Sequence, residues 1–150
     1  MTMQDAWPVQ LLHEDEDFVR VVVRDLPEVQ TSGSDEADAI EMAADAIEVV
    51  IGGAIDDGDE VPEPSSPQPG EHLVQLPAAM AAKLAIYRAF RRADITKTEL
   101  ARRIGVSEVE AHRILGFQYR TRLDRLDAAA RALGVRLVIG TEPLSTEAAE

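Results

Sequence analysis

The residues best suited to chemistry in this chain lie at 97–116, KTELARRIGVSEVEAHRILG. Their types and spacing describe a helix-turn-helix. Thr96 caps a first helix, and Glu99 three positions on closes a capping box. Leu100, Ala101 and Ile104 face inward, with Ala101 small where two helices cross closely. Gly105 supplies the positive φ of a tight turn, and Val106 plugs the corner. Ser107 caps the second helix with Glu110 as its box partner, and Ala111, Ile114 and Leu115 are its buried positions. That leaves Glu108, Val109, His112 and Arg113 on the outer face. In a major groove, Arg113 suits guanine or a phosphate, Glu108 suits the cytosine amino group, and His112 donates to a base or phosphate. Lys97 and Thr98 before the turn, and Gln118, Tyr119, Arg120, Thr121 and Arg122 after the second helix, are placed for backbone phosphates. The candidate DNA-contacting set is therefore Lys97, Thr98, Ser107, Glu108, Val109, His112, Arg113, Gln118, Tyr119, Arg120 and Thr121. Phosphate contacts would set position and base contacts would set sequence.

The second possible chemistry is carboxylate catalysis, and the pattern argues against it. A two-metal nuclease needs several acids converging from strands and helices. The strand-forming runs at 7–12 and 18–23 carry no acid. The acids sit instead in the turn at 14–17 and on one helix face, at Glu41, Asp45 and Glu48. That spacing describes a solvated face. His13 and His72 fall at strand ends without a nucleophile partner. No catalytic residue, no metal and no cofactor is expected.

The elements that must hold these residues follow from periodicity. Residues 7–12 and 18–23 read as a hairpin around HEDED, with Val19, Val21 and Val23 on one face. A third short strand fits residues 29–32. Ser34 reads as an N-cap for a helix from Asp35 to about Ile51, with Ile40, Ala43, Ala44, Ile47, Val50 and Ile51 inward and Gly52-Gly53 ending it. Residues 56–70, DDGDEVPEPSSPQPG, hold four prolines and read as a loop or linker. Residues 72–76 read as a strand returning to the same sheet. Beyond them come helices at 78–92, 96–104, 107–115 and about 121–133, with Met80, Leu84 and Tyr87 on one face of the first. Gly134 ends the last helix. A short strand at 136–139 and a polar tail follow.

Composition sets the class. Hydrophobic residues are 45% of the chain, enough for a packed core, and there are no cysteines. No apolar run spans a bilayer, and residues 1–7 show no basic-then-apolar leader. A cytoplasmic protein with no membrane contact is the expectation. The net charge of −13 is divided unevenly: residues 1–80 hold two basic and 19 acidic residues, and residues 81–150 hold 13 basic and nine acidic. The acidic half suits a basic protein partner and the basic half suits phosphates. Reading a palindrome needs two copies, so a homodimer or higher oligomer is expected.

Beyond these physical readings, the order of pieces resembles the HicB family of type II antitoxins over nearly the whole chain. An opening hairpin leads to Asp25-Leu26-Pro27, then Val29-Gln30-Thr31-Ser32-Gly33. A helix follows with Glu36, Ala37 and Ala39, and then Val61-Pro62-Glu63-Pro64-Ser65. Residues 72–87 and 97–137 look like the family's helix-turn-helix form. Glu28 and Val29 stand where glycine and cysteine are usual, and residues 116–122, GFQYRTR, depart from the family's turn. The resemblance implies an α+β fold: a small partial RNase-H-like βββαβ domain at 1–76, with its proline-rich loop at 56–70, a helix-turn-helix domain at 77–141, and a tail at 142–150. It implies that the first domain occludes HicA, a small basic mRNA-cleaving toxin, and that the second binds operator DNA to repress the operon. Asp25, Leu26, Pro27 and Glu28 are the candidate toxin-contacting residues. The alternative is a stand-alone helix-turn-helix repressor whose first domain dimerises or binds a ligand.

Overall fold

The computed structural model describes residues 6–144. Four antiparallel strands, β1 (Ala6–Asp15), β2 (Phe18–Val22), β3 (Thr31–Gly33) and β4 (His72–Gln75), form one sheet in the order β3-β2-β1-β4. Helix α1 (Glu36–Asp57) crosses one face. Four helices follow: α2 (Ala78–Ala93), α3 (Lys97–Ile104), α4 (Glu108–Leu115) and α5 (Leu123–Ala132). The layout is mixed α+β, with strands first and helices after.

Alternation decides which face of the sheet is covered. Val19, Val21 and Val23 are all buried, as their period-two spacing predicts, while Phe18 and Arg20 on the opposite face are exposed. Val21 pairs with Leu11 and Thr31, so the same face continues across three strands. Trp7, Val9 and Val74 extend it to β4, whose return to the sheet bears out the expectation for residues 72–76. Ala39, Ala43, Ile47, Ile51 and Ile55 form the stripe of α1 that closes this core. Each of the three isoleucines contributes about 1.5–3 kcal/mol by leaving water.

Several boundaries differ from the sequence reading. Asp35, not Ser34, caps α1; its carboxylate accepts from Asp38 N at 2.8 Å, and the Asp38 carboxylate accepts in turn from Ser34 N at 2.8 Å. Gly52-Gly53 does not end α1. The helix runs to Asp57, with Gly58 at φ 75° as its left-handed cap. Ile51 and Ile55 share one buried stripe, and that burial outweighs the roughly 1 kcal/mol each glycine costs. Gly52 also lies beside the Phe117 side chain, where a Cβ would sit 3.5 Å away. Asp56 and Asp57 therefore belong to the helix rather than to the proline-rich loop. The third strand starts at Thr31, because Val29 turns inward to the core, its N–H donating to Leu26 O at 3.0 Å. The last helix starts at Leu123. Residues 136–139 form no strand: Leu137 packs on the helical core, and Val138 and Ile139 stay exposed. Residues 145–150 of the expected tail lie outside the described residues.

Two cores meet on α2. Met80, Leu84 and Tyr87, together with Phe117 from beyond α4, pack with the sheet and α1. Ile86 packs with Leu100, Ala101, Ala111, Ile114, Leu115, Leu126, Ala129 and Ala130, and Phe90 touches both groups. The residues read as inward in α3 and α4 are thus inward, and the turn glycine, Gly105, has φ 84°.

The glycines give a paired test. A Cβ on Gly33 would lie 2.3 Å from the Ala39 backbone nitrogen, so β3 abuts the first turn of α1 too closely for any side chain. Gly33→Ala is expected to destabilise by about 3 kcal/mol in urea unfolding. Gly53→Ala, on an exposed turn of α1 with nothing within 4 Å of the added carbon, is expected to stabilise by about 1 kcal/mol.

Candidate functional site

Helices α3 and α4 are joined by a short turn and fastened at both ends of their exposed face. Thr96 Oγ1 accepts from Glu99 N at 3.0 Å, and Ser107 Oγ accepts from Glu110 N at 3.1 Å. The caps are those the sequence calls for, but Glu99 spends its carboxylate elsewhere. Arg102 and Arg103 donate to it, and they hold its pKa down at about 2, Arg102 first. Glu108 is held by Thr98, whose hydroxyl donates to it at 2.9 Å, rather than by Arg113. Its carboxylate therefore ties the start of α4 to the start of α3.

The remaining face gathers around His112. Lys97 Nζ donates to His112 Nδ1 at 3.1 Å. A ring that accepts at Nδ1 carries its proton on Nε2, which leaves Nε2–H as its donor. Tyr119 meets the same imidazole edge-on at 6.1 Å, and the Arg113 guanidinium lies 6.0 Å from the Tyr119 ring centre. The structure thus joins Lys97, His112, Arg113 and Tyr119 in one cluster. Val109 beside it is exposed, as are Gln118 and Arg120. Gly116 is bare because Tyr119 lies against it: a Cβ would meet that ring at 3.0 Å.

Thr121 has a different employment. Its Oγ1 accepts from Lys83 Nζ at 2.8 Å. The same ammonium donates to Arg113 O at 2.9 Å, Ile114 O at 2.9 Å and Gly116 O at 2.8 Å. Lys83 is only 3% exposed. Burial pushes its pKa down to about 8, opposed by the charge of Glu110. Sequence reading missed this lysine. Its signal was available: Lys83 stands three after Met80 and four before Tyr87, inside the apolar stripe of α2, where a charge needs partners.

In the acidic half, the proline-rich loop is strapped to the Asp25-Leu26-Pro27 turn. The Asp25 carboxylate accepts from Ser65 N at 2.8 Å and Ser65 Oγ at 2.6 Å. Arg24 donates to both carboxylate oxygens of Glu71, each at 2.9 Å, and to Ser66 O at 2.7 Å. Helix α2 holds the loop from the other side. Tyr87 Oη donates to Asp59 O at 2.6 Å, Arg88 donates to Pro62 O at 3.0 Å, and Arg91 donates to Gly58 O. Of the four residues read as toxin contacts, Leu26 is buried in the core and the Asp25 carboxylate is taken by Ser65. Pro27 and Glu28 are exposed. Arg20 and Arg24 are ion-paired with Glu14 and Glu71. The acids of the α1 outer face, Glu41, Asp45 and Glu48, precede Val49, which is 73% exposed, along the same helix. No helix of the described residues is long and apolar enough to cross a membrane.

The arrangement is that of a regulatory binding protein: an acidic sheet-and-helix unit bound by one shared helix to a compact helical unit. Comparison with known proteins agrees. A family described as HicB_like antitoxin of bacterial toxin-antitoxin system matches residues 6–85. The chain is 34% identical over 131 residues to Antitoxin HicB of Escherichia coli (strain K12), covering 87% of this chain and 95% of that one. It is 32% identical over 136 residues to Antitoxin HicB 1 of Photorhabdus laumondii, covering 91% and 86%. The chain belongs to the HicB-like antitoxin family, a family of non-enzymatic regulators whose description, antitoxin of a toxin-antitoxin system, implies a toxin partner.

The loop strap is testable by acid. Arg24 is the main cause, and the Gln68 N–H the next, of a Glu71 pKa lowered to about 2 from an ordinary 4.5. A carboxylate whose pKa falls on folding stabilises fully above its unfolded pKa and loses that stabilisation as pH falls toward the folded one. Glu71→Gln is expected to be less stable than wild type at pH 7. The gap should close between about pH 4.5 and 2, followed by urea midpoints across that range.

Proposed function

We propose that this chain neutralises a small, basic, HicA-type mRNA-cleaving toxin with its acidic half and represses its own operon through a helix-turn-helix formed by α3 and α4. The observation that carries the DNA reading is the cluster of Lys97, His112, Arg113 and Tyr119 beside exposed Val109, on a helix capped by Ser107. In this reading α4 enters the major groove, Arg113 and His112 reach base edges, and Gln118 and Arg120 meet phosphates. Thr121 and Ser107 act from beneath, as the holder of Lys83 and as the cap. The partial RNase-H-like layout of the first domain is supported by its βββαβ order. The toxin-facing surface is drawn from Pro27, Glu28 and the acids that precede Val49 on α1. A basic partner would be steered there by a field that the two ion-paired arginines do little to offset. A palindromic operator calls for two copies, and the exposed Val138 and Ile139 offer one apolar surface for pairing.

Two measurements check this. Tagged full-length protein recovered from its host at low salt is expected to bring down a stoichiometric small basic protein. Recovery of DNA without a protein would favour the stand-alone repressor. Arg113→Ala is expected to lose about 1–3 kcal/mol of binding on the DNA upstream of its own gene by fluorescence anisotropy. An equal loss on a scrambled duplex would make Arg113 a phosphate contact only.

A further inference from the structure

The buried ammonium of Lys83 makes no contact with DNA in the reading above, yet four acceptors at the base of the proposed DNA surface converge on it. It comes from α2 and meets three successive features of the chain beyond it. These are the last carbonyls of α4 (Arg113 and Ile114), the carbonyl of Gly116 in the exit, and the hydroxyl of Thr121 just before α5. All four acceptors lie within 2.9 Å, and an ammonium has three protons, so the four share them. Arg113 is thereby fixed at its backbone by Lys83 and touched at its side chain by Tyr119, which itself rests on bare Gly116. Phe117, between them, is pinned against Gly52 of α1.

We propose that Lys83 is a positioning residue for sequence-specific DNA reading. It sets the pitch of the α4 C-terminus and the path of residues 116–121, so that Arg113, His112 and Tyr119 meet a duplex in one geometry. This inference rests on the DNA-reading assignment. At 3% exposure Lys83 reaches no phosphate, so its effect is transmitted wholly through the groups it holds.

The test uses the full chain, with Lys83→Met as the isosteric, uncharged variant and Thr121→Val removing a single acceptor. The probes are the duplex immediately upstream of the gene and a scrambled duplex of equal length. Folded Lys83→Met is expected to bind the upstream duplex roughly tenfold more weakly, the cost of one misplaced base-reading contact, with a much smaller loss on the scrambled one. The slope of log affinity against log salt should stay at the wild-type value, whereas a lost phosphate contact would reduce it by about 1. Thr121→Val is expected to show the same preference with a loss of about threefold to fivefold. It decides the matter if Lys83→Met does not fold. Wild-type affinity for the upstream duplex in a folded variant, a reduced salt slope, or equal losses on both duplexes would overturn the proposal. Wild-type protein that binds neither duplex overturns the DNA reading itself, a different and recognisable failure.

Discussion

An ammonium cannot rest in a packed interior unless oxygen atoms replace its water, and the second half of this molecule is arranged around satisfying one. A helix ends with four carbonyls that lack intrahelical partners and with a partial negative charge. Helix α4 is only eight residues long and has a Gly116 exit in extended conformation, so little of its own chain returns to those carbonyls. Lys83 supplies what α4 lacks, from a neighbouring helix. The pairing answers two problems together: the charge is solvated by backbone, and the helix end is closed. It also dictates what lies around it. Gly116 must bring its carbonyl in and leave its other side clear for Tyr119, and Thr121 must place its hydroxyl inward, which delays α5 to Leu123.

The acidic half solves a comparable problem with opposite charges. Its long loop holds four prolines and cannot bond into a sheet, so its carbonyls and N–H groups need side-chain partners. Asp25 and Arg24, adjacent in sequence, supply them on the sheet side, and Tyr87, Arg88 and Arg91 supply them from α2. The only two basic residues of the first 80 are consumed in ion pairs, with Arg24 engaged in holding the loop. What remains facing outward is acid, which is why the surface reads as so strongly single-signed.

Much of this was legible in the sequence wherever a period or a cap carried the information. The valine alternation of β2, the α1 stripe, the Thr96 and Ser107 caps and the Gly105 turn all follow from local rules, and the structure has them. Local rules failed where a distant contact outweighed them. Gly52-Gly53 reads as a stop, but burial of Ile55 carries the helix past it. Residues 136–139 have strand composition, but Leu137 is drawn onto the helical core rather than into a ladder. The long-range bonds were beyond reach for a simpler reason: Arg24 and Glu71 are 47 residues apart, Asp25 and Ser65 are 40 apart, and no periodicity links them. Lys83 lies between these cases. Its place in an apolar stripe marks it as a buried charge, though the acceptors 30 to 38 residues later are not predictable from that place.

The charge divide and the packing divide do not fall at the same point. Charge changes sign near residue 80, at the start of α2. Packing does not change there, because Leu84 and Tyr87 of α2 and Phe117 after α4 complete the sheet-side core, while Ile86, two residues from Leu84, completes the other. A chain cut at the charge boundary would strip Leu84, Tyr87 and Phe117 from the sheet-side core, and the proline-rich loop would lose its hold on Tyr87 and Arg91. The acidic surface and the basic surface are therefore carried by units that share a helix and cannot be independent in stability. Any surface that a partner rigidifies on α1 is one contact, Gly52 to Phe117, from the end of α4 that Lys83 holds.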